Sequence, residues 1–124
     1  VLAMSTRELG VQGEAVAARY YQKLGFRLFA HHYVTRLGEL DLVLTSRDLV
    51  VIAEVKTRTN PTAAAPREAV DVHKQRRILM AARQFLAGHP DFAQRQIRFD
   101  VVEVVPCPGG WQVRCFPGAF EAGG

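Results

Sequence analysis

Apolar residues recur at helical spacing in two parts of the chain. The first stripe begins after Ser5 and Thr6, either of which can cap a helix, and it stops at Gly25, which suits a left-handed C-terminal position. The members of this stripe, which we expect to be buried, are Leu9, Gly13, Val16, Ala17, Tyr20 and Leu24. A second helix is predicted over residues 67–86, directly before a glycine and a proline that end it.

Five further segments have the short, β-branched or aromatic composition of strands. They are residues 26–34, the two halves of the stretch 38–57, residues 96–105 and residues 111–116. A loop of small residues and prolines is expected between the third strand and the second helix. The order α-β-β-β-α-β-β predicts an α/β (α+β) fold in which helices pack against a mixed sheet.

Charged residues interrupt the most apolar of these segments, the hairpin of residues 38–57. Strands without a polar face are usually covered on both sides, and a carboxylate there is costly to bury unless it is paired, protonated or bound to a cation. A two-residue turn at 47–48, or a four-residue loop at 46–49, places Asp41 opposite Glu54 and Glu39 opposite Lys56. A three-residue turn would break this register unless a bulge restored it.

Two carboxylates and a lysine on one patch suit metal-dependent phosphodiester hydrolysis. Asp41 and Glu54 offer the oxygen ligands that Mg²⁺ or Mn²⁺ prefers, and the backbone carbonyl of Val55 is a further candidate ligand. Lys56 is placed to orient the attacking hydroxide or to stabilise charge on the phosphate. The alternative is structural: a Glu54–Lys56 ion pair and an aspartate at a strand edge.

Composition and charge restrict the class of protein only broadly. With 124 residues, 48% hydrophobic and 23% charged, the chain is long enough to form one globular domain over residues 1–124, with residues 1–4 as a disordered extension. No segment approaches the ~20 apolar residues of a membrane span and no signal-peptide pattern is present, so we expect a cytoplasmic protein without a membrane partner. The net charge of +4 permits a nucleic-acid partner without requiring one.

Several other polar residues have two interpretations. The outer surface of the second helix is basic, which is typical either of a solvated face or of a phosphate-binding face; its residues are Arg67, Lys74, Arg76, Arg77 and Arg83. Glu14 lies on the flank of the first apolar stripe, and the pattern alone favours a solvated glutamate. His31 and His32 are adjacent in a predicted strand, so they are expected on opposite faces.

Several blocks of the sequence occur in a recognisable order. They are Gly13-Glu14-Ala15, then Arg36-Leu37-Gly38-Glu39-Leu40-Asp41-Leu42-Val43, Glu54-Val55-Lys56-Thr57-Arg58, Lys74 with Arg77, and Arg98-Phe99-Asp100-Val101-Val102. By these blocks the chain resembles the PD-(D/E)xK nuclease superfamily. It resembles most closely the bacterial YraN-type family, whose members are distant relatives of the archaeal Holliday junction resolvases.

This resemblance implies a restriction-endonuclease-like core of α-β-β-β-α-β, here with an extra C-terminal strand. It places Asp41 and Glu54 at metal-ligand positions and Lys56 at the position of the catalytic lysine. It also places Glu14 at a supporting acidic position near the metal, against the preference from pattern alone, and it makes Glu39 a supporting residue. Nucleic-acid contacts are expected from Arg36, Arg58, Lys74 and Arg77.

The chain departs from the family pattern at two places. Leu40 stands where the superfamily has a proline before the first acid, and His32-Tyr33-Val34 stands where YraN-type sequences have Asn, an aromatic residue and Arg. The missing arginine reduces the expected grip on substrate.

Three functions are compatible with these residues. The first is a Mg²⁺- or Mn²⁺-dependent DNA endonuclease, structure-selective for branched DNA, with DNA preferred to RNA. A homodimer would suit such an enzyme, because cutting two strands symmetrically is easier with two sites related by a two-fold axis. The second is a non-catalytic DNA- or RNA-binding module that uses the basic helix and Arg58, and the third is a protein-interaction domain in which the acids are structural.

Overall fold

The computed structural model describes residues 4–59 and 70–121, and the predicted order of helices and strands is confirmed within them. The elements are α1 (Thr6–Lys23), β1 (Arg27–Val34), β2 (Glu39–Thr45), β3 (Leu49–Thr57), α2 (Val72–Gly88), a 3₁₀ turn (Pro90–Phe92), β4 (Gln96–Cys107) and β5 (Gly110–Phe120). The predicted N-terminal extension, apart from Met4, and most of the predicted loop before α2 lie outside the described residues.

The strands form one mixed sheet in the order β1-β2-β3-β4-β5, in which β3 and β4 are parallel and the other neighbours antiparallel. One helix covers each face, so the sheet separates two apolar clusters. The first lies against α2 and includes Val43, Val50, Ile52, Ile78, Phe85 and Val101. The second lies against α1 and includes Val16, Tyr21, Leu44, Val51, Ala53 and Val102. The central strands are therefore buried on both sides, as their apolar runs predict.

Helix α1 has the predicted ends but is rotated relative to the predicted stripe. The Ser5 side chain accepts a hydrogen bond from the Glu8 backbone N–H, and Gly25 has a φ of 96°. Tyr21, rather than its neighbour Tyr20, is fully buried, and Leu24 is 60% exposed. The cause is a hydrogen bond of 2.7 Å from the Tyr21 hydroxyl to Asp100, a partner 79 residues away that helical spacing alone does not reveal.

Close approach at Gly13 holds α1 against the sheet. A Cβ atom at this position would overlap the side chains of Thr57 and Val104, whereas a Cβ atom at Gly10 on the same helix would meet nothing. We expect Gly13→Ala to destabilise the protein by about 1–3 kcal/mol through overpacking. Gly10→Ala, the matched control, should stabilise it by up to about 1 kcal/mol, because alanine is the better helix former. Chemical denaturation of the two variants measures both effects, and equal stabilities would contradict this account.

The second helix begins later than predicted. Val70 and Asp71 are not helical, α2 starts at Val72, and residues 67–69 lie outside the described part of the chain. Asp71 is the N-cap, because its side chain accepts a hydrogen bond from the Lys74 backbone N–H. Aspartate is one of the preferred N-cap residues, so Asp71 was a sequence signal for the start of this helix. The prediction extended the helix N-terminally past Asp71 and therefore placed its start too early.

Strand β1 is irregular, which corrects the expectation for its histidines. The pairing with β2 shifts between Leu28 and Ala30, and His32 has a φ of 50°, in the left-handed region. The irregular backbone brings His31 and His32 to the same cavity, between α1 and β1, instead of to opposite faces. At the other end of the chain β5 is longer than predicted, and Phe120 is buried with its ring stacked on that of Phe99.

Neither of the helices described is long and apolar enough to cross a membrane.

Candidate functional site

The central hairpin has the predicted register. Its turn consists of Arg47 and Asp48, since the Ser46 N–H donates to the Leu49 carbonyl at 2.8 Å. The β2–β3 ladder runs from Thr45↔Val50 to Leu42↔Ala53. The next pair in this register would be Asp41 and Glu54. The alignment of β2 with β3 therefore brings the two acids side by side.

Asp41 itself ends the regular ladder. Its Oδ2 atom accepts the backbone N–H of Val55 at 2.9 Å, so a side chain occupies the place where a strand–strand bond would otherwise continue. Glu39 and Lys56 are consequently not ladder partners, in contrast to the prediction. On the other side of β2, Glu39 pairs with Val34 on β1, and its carboxylate lies 3.9 Å from the ring Nε2 atom of His32.

The carboxyl of Glu54 is buried beside that of Asp41. Only 5% of the Glu54 residue is exposed. Burial, followed by repulsion from Asp41 and hydrogen bonding with it, raises the pKa of Glu54 to about 7, while Lys74 and Lys56 oppose the rise. A carboxylate in such a place is stabilised by any cation that reaches it. We call Asp41 and Glu54 the acid pair.

Two lysines contact the acid pair, one more than the sequence predicted. The Nζ atom of Lys56 lies 3.6 Å from Oε2 of Glu54, and the Nζ atom of Lys74 lies 3.3 Å from the same oxygen. Lys74 comes from the first turn of α2, where a positive charge opposes the helix dipole, so its contact with Glu54 offsets that cost. Lys74 was predicted on an outer surface, although it stands four residues before the buried Ile78 and so on the same side of the helix.

Glu14 lies on α1, which packs on the face of the sheet opposite to α2. Its carboxyl is half-buried, and burial raises its pKa, with opposition from His32 and His31 and further increases from Glu54 and Glu39. Glu14 lines the same cavity as His31 and His32. Glu14 is therefore not an isolated solvated glutamate, which was the interpretation from pattern alone.

The remaining predicted basic residues lie around this end of the sheet. Arg36 is exposed in a turn closed by the Thr35 side chain, and Gly38 of the same turn packs against the backbone of α2, where a Cβ atom would come within 2.9 Å of the Arg77 carbonyl oxygen. Arg36 and Arg77 thus belong to one exposed rim. Arg58 follows β3, and its Nε atom is buried without a hydrogen-bond partner among the described residues.

Two other buried acids show what a structural carboxylate looks like in this fold. Asp100 accepts hydrogen bonds from Tyr21, from the Arg98 side chain and from the Gly118 backbone N–H. Glu103 accepts one from Arg114 at 3.2 Å. Each has donors and cations as its partners. Glu54 differs because one of its neighbours is another carboxylate.

The acid pair has the donor set of a magnesium site with few protein ligands. Within residues 4–59 and 70–121, no group of three or more His, Cys, Asp or Glu side chains is arranged to hold an ion. Mg²⁺ retains several waters and is commonly bound by one or two carboxylates, so the two acids fit such an ion. A Zn²⁺ site would require more nitrogen or sulfur ligands than lie here.

Comparison with known proteins places the chain in a family. Residues 13–104 match the sequence profile of the uncharacterised protein family UPF0102. The chain belongs to the UPF0102 family. This confirms the resemblance to YraN-type proteins, and the matched residues extend from the glycine that precedes Glu14 into β4.

The similarity to individual UPF0102 proteins extends over most of the chain. A UPF0102 protein of Caldanaerobacter subterraneus subsp. tengcongensis is 38% identical over 101 residues, which cover 82% of each chain. One from Anaeromyxobacter dehalogenans is 40% identical over 94% of this chain and 86% of its own. One from Chelativorans sp. is 44% identical over 78% of this chain and 77% of its own. The acid pair and both lysines fall within the family match.

Proposed function

We propose that this UPF0102 protein is a cytoplasmic, Mg²⁺- or Mn²⁺-dependent endonuclease that hydrolyses phosphodiester bonds in DNA, with a preference for branched DNA. The observation that supports the proposal is the acid pair, since Glu54 is buried against a second carboxylate with two lysines beside it. A buried carboxylate beside a second carboxylate is costly in the metal-free protein, and a bound cation would lower that cost.

Each residue of the site has a separate task in this proposal. Asp41 and Glu54 would hold the ion, with the Val55 carbonyl as a further ligand, and the ion would supply an activated water and positive charge at the phosphate. The Val55 N–H keeps Asp41 oriented. Lys56 stabilises the charge that develops on the phosphate oxygens as the water oxygen attacks phosphorus and the leaving oxygen departs. Glu14 and Glu39 support the site from α1 and β2.

The basic rim would bind the DNA on either side of the scissile bond. Arg36 and Arg77 are exposed on two segments that pack together, and Lys74 lies between this rim and Glu54. Arg58 follows β3 and is only partly buried, so the accessible part of its guanidinium is a further candidate for a phosphate contact.

The proposal is tested by incubating four-way, flapped, single-stranded and linear DNA with the protein in Mg²⁺, in Mn²⁺ and in chelator. We expect metal-dependent cleavage that Asp41→Asn abolishes. Asp48→Asn, an identical change at an exposed acid in the hairpin turn, serves as the control and should leave cleavage intact. Cleavage that persists in chelator, or in the Asp41 variant, would refute the assignment.

A non-catalytic nucleic-acid-binding module is the second candidate. It is favoured by the contact of both Lys56 and Lys74 with Glu54, because two ammonium groups already neutralise this acid without an ion. This function predicts salt-dependent binding of DNA or RNA that is equal in chelator and in Mg²⁺. Calorimetry with Mg²⁺ and Mn²⁺ alone separates the two candidates, since only the enzyme requires a metal to bind at the acid pair.

A further inference from the structure

A second basic cleft lies at the hairpin-turn end of the sheet, away from the acid pair. It has a volume of about 640 Å³ and is lined by Arg27, Arg47 and Arg95 together with the aromatic rings of Phe29 and Phe92. Thr45, which also lines it, is four residues beyond Asp41 on β2. This spacing corresponds to about 13 Å along a strand, so the cleft is separate from the site described above.

The three arginines of the cleft differ in how far their guanidinium groups are already engaged in contacts within the protein. Arg95 is held in place, because it donates to the Ser46 carbonyl at 3.0 Å and its guanidinium lies 4.8 Å from the centre of the Phe92 ring. Arg27 and Arg47 are exposed, and neither forms an ion pair with any residue in the described ranges. Within those ranges, no carboxylate lines the cleft. Unpaired guanidinium groups around a concave surface favour phosphate.

Phe29 adds an apolar surface to this cleft. It is the residue at which β1 bulges, and its side chain is 42% exposed although its ring packs edge-on against Phe92 at 4.8 Å and Phe85 at 5.7 Å. One side of the Phe29 ring is thus packed against other aromatic rings, and the rest of it is exposed to solvent. Exposed aromatic rings beside arginines are the usual platform on which proteins stack the unpaired bases of a single strand. A base within a duplex is already stacked and would not reach such a ring.

We propose that this cleft binds a single-stranded segment of nucleic acid, with Arg27 and Arg47 on its phosphates and Phe29 against an unpaired base. Arg95 completes the positive surface and fixes the Phe92 ring behind Phe29. One consequence concerns cleavage and rests on the proposed function: a strand bound in this cleft would extend toward the acid pair. Substrates with an unpaired segment next to the scissile bond would then be preferred.

The test is fluorescence anisotropy of a labelled oligothymidine of about 15 nucleotides, measured in chelator over a range of KCl concentrations. Arg27→Ala/Arg47→Ala should bind more weakly and should reduce the slope of log affinity against log salt by about 1.4, because each phosphate contact on a single strand contributes about 0.7. Arg7→Ala/Arg19→Ala removes the same charge from exposed positions on α1 and should leave the slope nearly unchanged. Equal losses in both double variants would mean diffuse electrostatics and would overturn the proposal.

The role of Phe29 is tested with Phe29→Leu, which keeps an apolar side chain in the cleft. We expect oligothymidine affinity to fall roughly 5- to 100-fold, the usual effect of losing one stacked base. Affinity for an abasic oligonucleotide of the same length should not change, so a general loss of structure would be recognised by its effect on both ligands. An equal effect on both, or tighter binding of a blunt duplex than of the single strand, would refute the assignment to unpaired bases.

These measurements do not depend on catalysis. If the protein cuts no DNA in Mg²⁺ or Mn²⁺ but shows the expected dependence on Arg27 and Arg47, the proposed nuclease function fails and the single-strand site stands. If DNA is cut and the arginine and phenylalanine variants bind as the parent protein does, the single-strand site fails and the nuclease function stands.

Discussion

Glutamine in place of Glu54 is expected to stabilise the metal-free protein at pH 8 and, at the same time, to abolish phosphodiester cleavage. The pKa of Glu54 is raised from 4.5 to about 7 in the folded protein. Between these pH values the folded protein holds a proton on Glu54 that the unfolded chain has released. The stability of the parent protein should therefore fall as the pH rises from about 4.5 to about 7. Above that range the buried carboxylate is charged and costs on the order of 3 kcal/mol.

Glu54→Gln removes this cost but also removes the counter-ion of Lys56 and Lys74. We therefore expect a net gain of about 1–2 kcal/mol at pH 8 and a gain of under about 1 kcal/mol at pH 5, because Glu54 is then protonated in the native state and pH 5 is only slightly above the pKa of the unfolded chain. Cleavage should fall by a factor on the order of 10³, because a neutral amide is a poor ligand for the ion that the reaction requires. Opposite changes in stability and activity are typical of a site whose charges serve function.

Thermal unfolding in chelator at pH 5 and pH 8, combined with cleavage assays in Mg²⁺, measures both effects. Glu121→Gln, the same change at an exposed position, is the control and should alter neither. Added Mg²⁺ should stabilise the parent protein and not the Glu54 variant, since binding to the native state adds its free energy to folding. A Glu54 variant that is less stable than the parent at pH 8 would show that the lysine ion pairs outweigh the buried charge, and the acid pair would then be a structural feature.

The meeting of Asp41 with Glu54 could be predicted from the sequence because it depends on local quantities. Side chains alternate across a strand with a period of two, and a two-residue turn at Arg47 and Asp48 determines which residues face each other. Both follow from about twenty consecutive residues. Glu39 was wrongly predicted to lie opposite Lys56, because the prediction assumed that the β2–β3 ladder continues past Asp41. The Asp41 side chain takes the Val55 N–H instead, and this choice is decided by a side chain and not by strand parity.

The features that sequence reasoning missed depend on contacts between distant segments. The rotation of α1 follows from the Tyr21 hydrogen bond to Asp100 and from the fit of Gly13 against Thr57, neither of which periodicity records. The position of His32 depends on a positive φ that a histidine adopts only in a suitable context. Lys74 was assigned to an outer surface although it stands four residues before the buried Ile78, and its contact is with Glu54 on β3, a partner that helical spacing does not record.

Lys56 and Lys74 touch the same oxygen of Glu54, yet their replacement by methionine is expected to have different consequences for cleavage. Lys56 projects from β3 beside Glu54, on the strand that also positions the metal ligand, and it can follow the phosphate as charge develops. Lys56→Met should lower the rate by a factor of about 10²–10³ even at high pH where Glu54 is ionised, the usual cost of removing a donor that stabilises the transition state. Lys56 also opposes the rise in the pKa of Glu54, though less than Lys74 does, so a smaller shift of the pH dependence should accompany this loss.

Lys74→Met should mainly change the pH dependence. Lys74 opposes the rise in the pKa of Glu54, so its loss leaves the acid protonated to a higher pH. The rising limb of a pH–rate profile measured at subsaturating Mg²⁺, where the ion and the proton compete for Glu54, should therefore move to higher pH. At high pH, where Glu54 ionises in the variant as well, most of the parent rate should return. Arg83→Met, on the exposed side of the same helix, controls for the loss of a positive charge from α2. If Lys74→Met lowers the rate equally at all pH values, Lys74 contacts the reacting phosphate directly, and the distinction between the two lysines drawn from the helix and the strand is wrong.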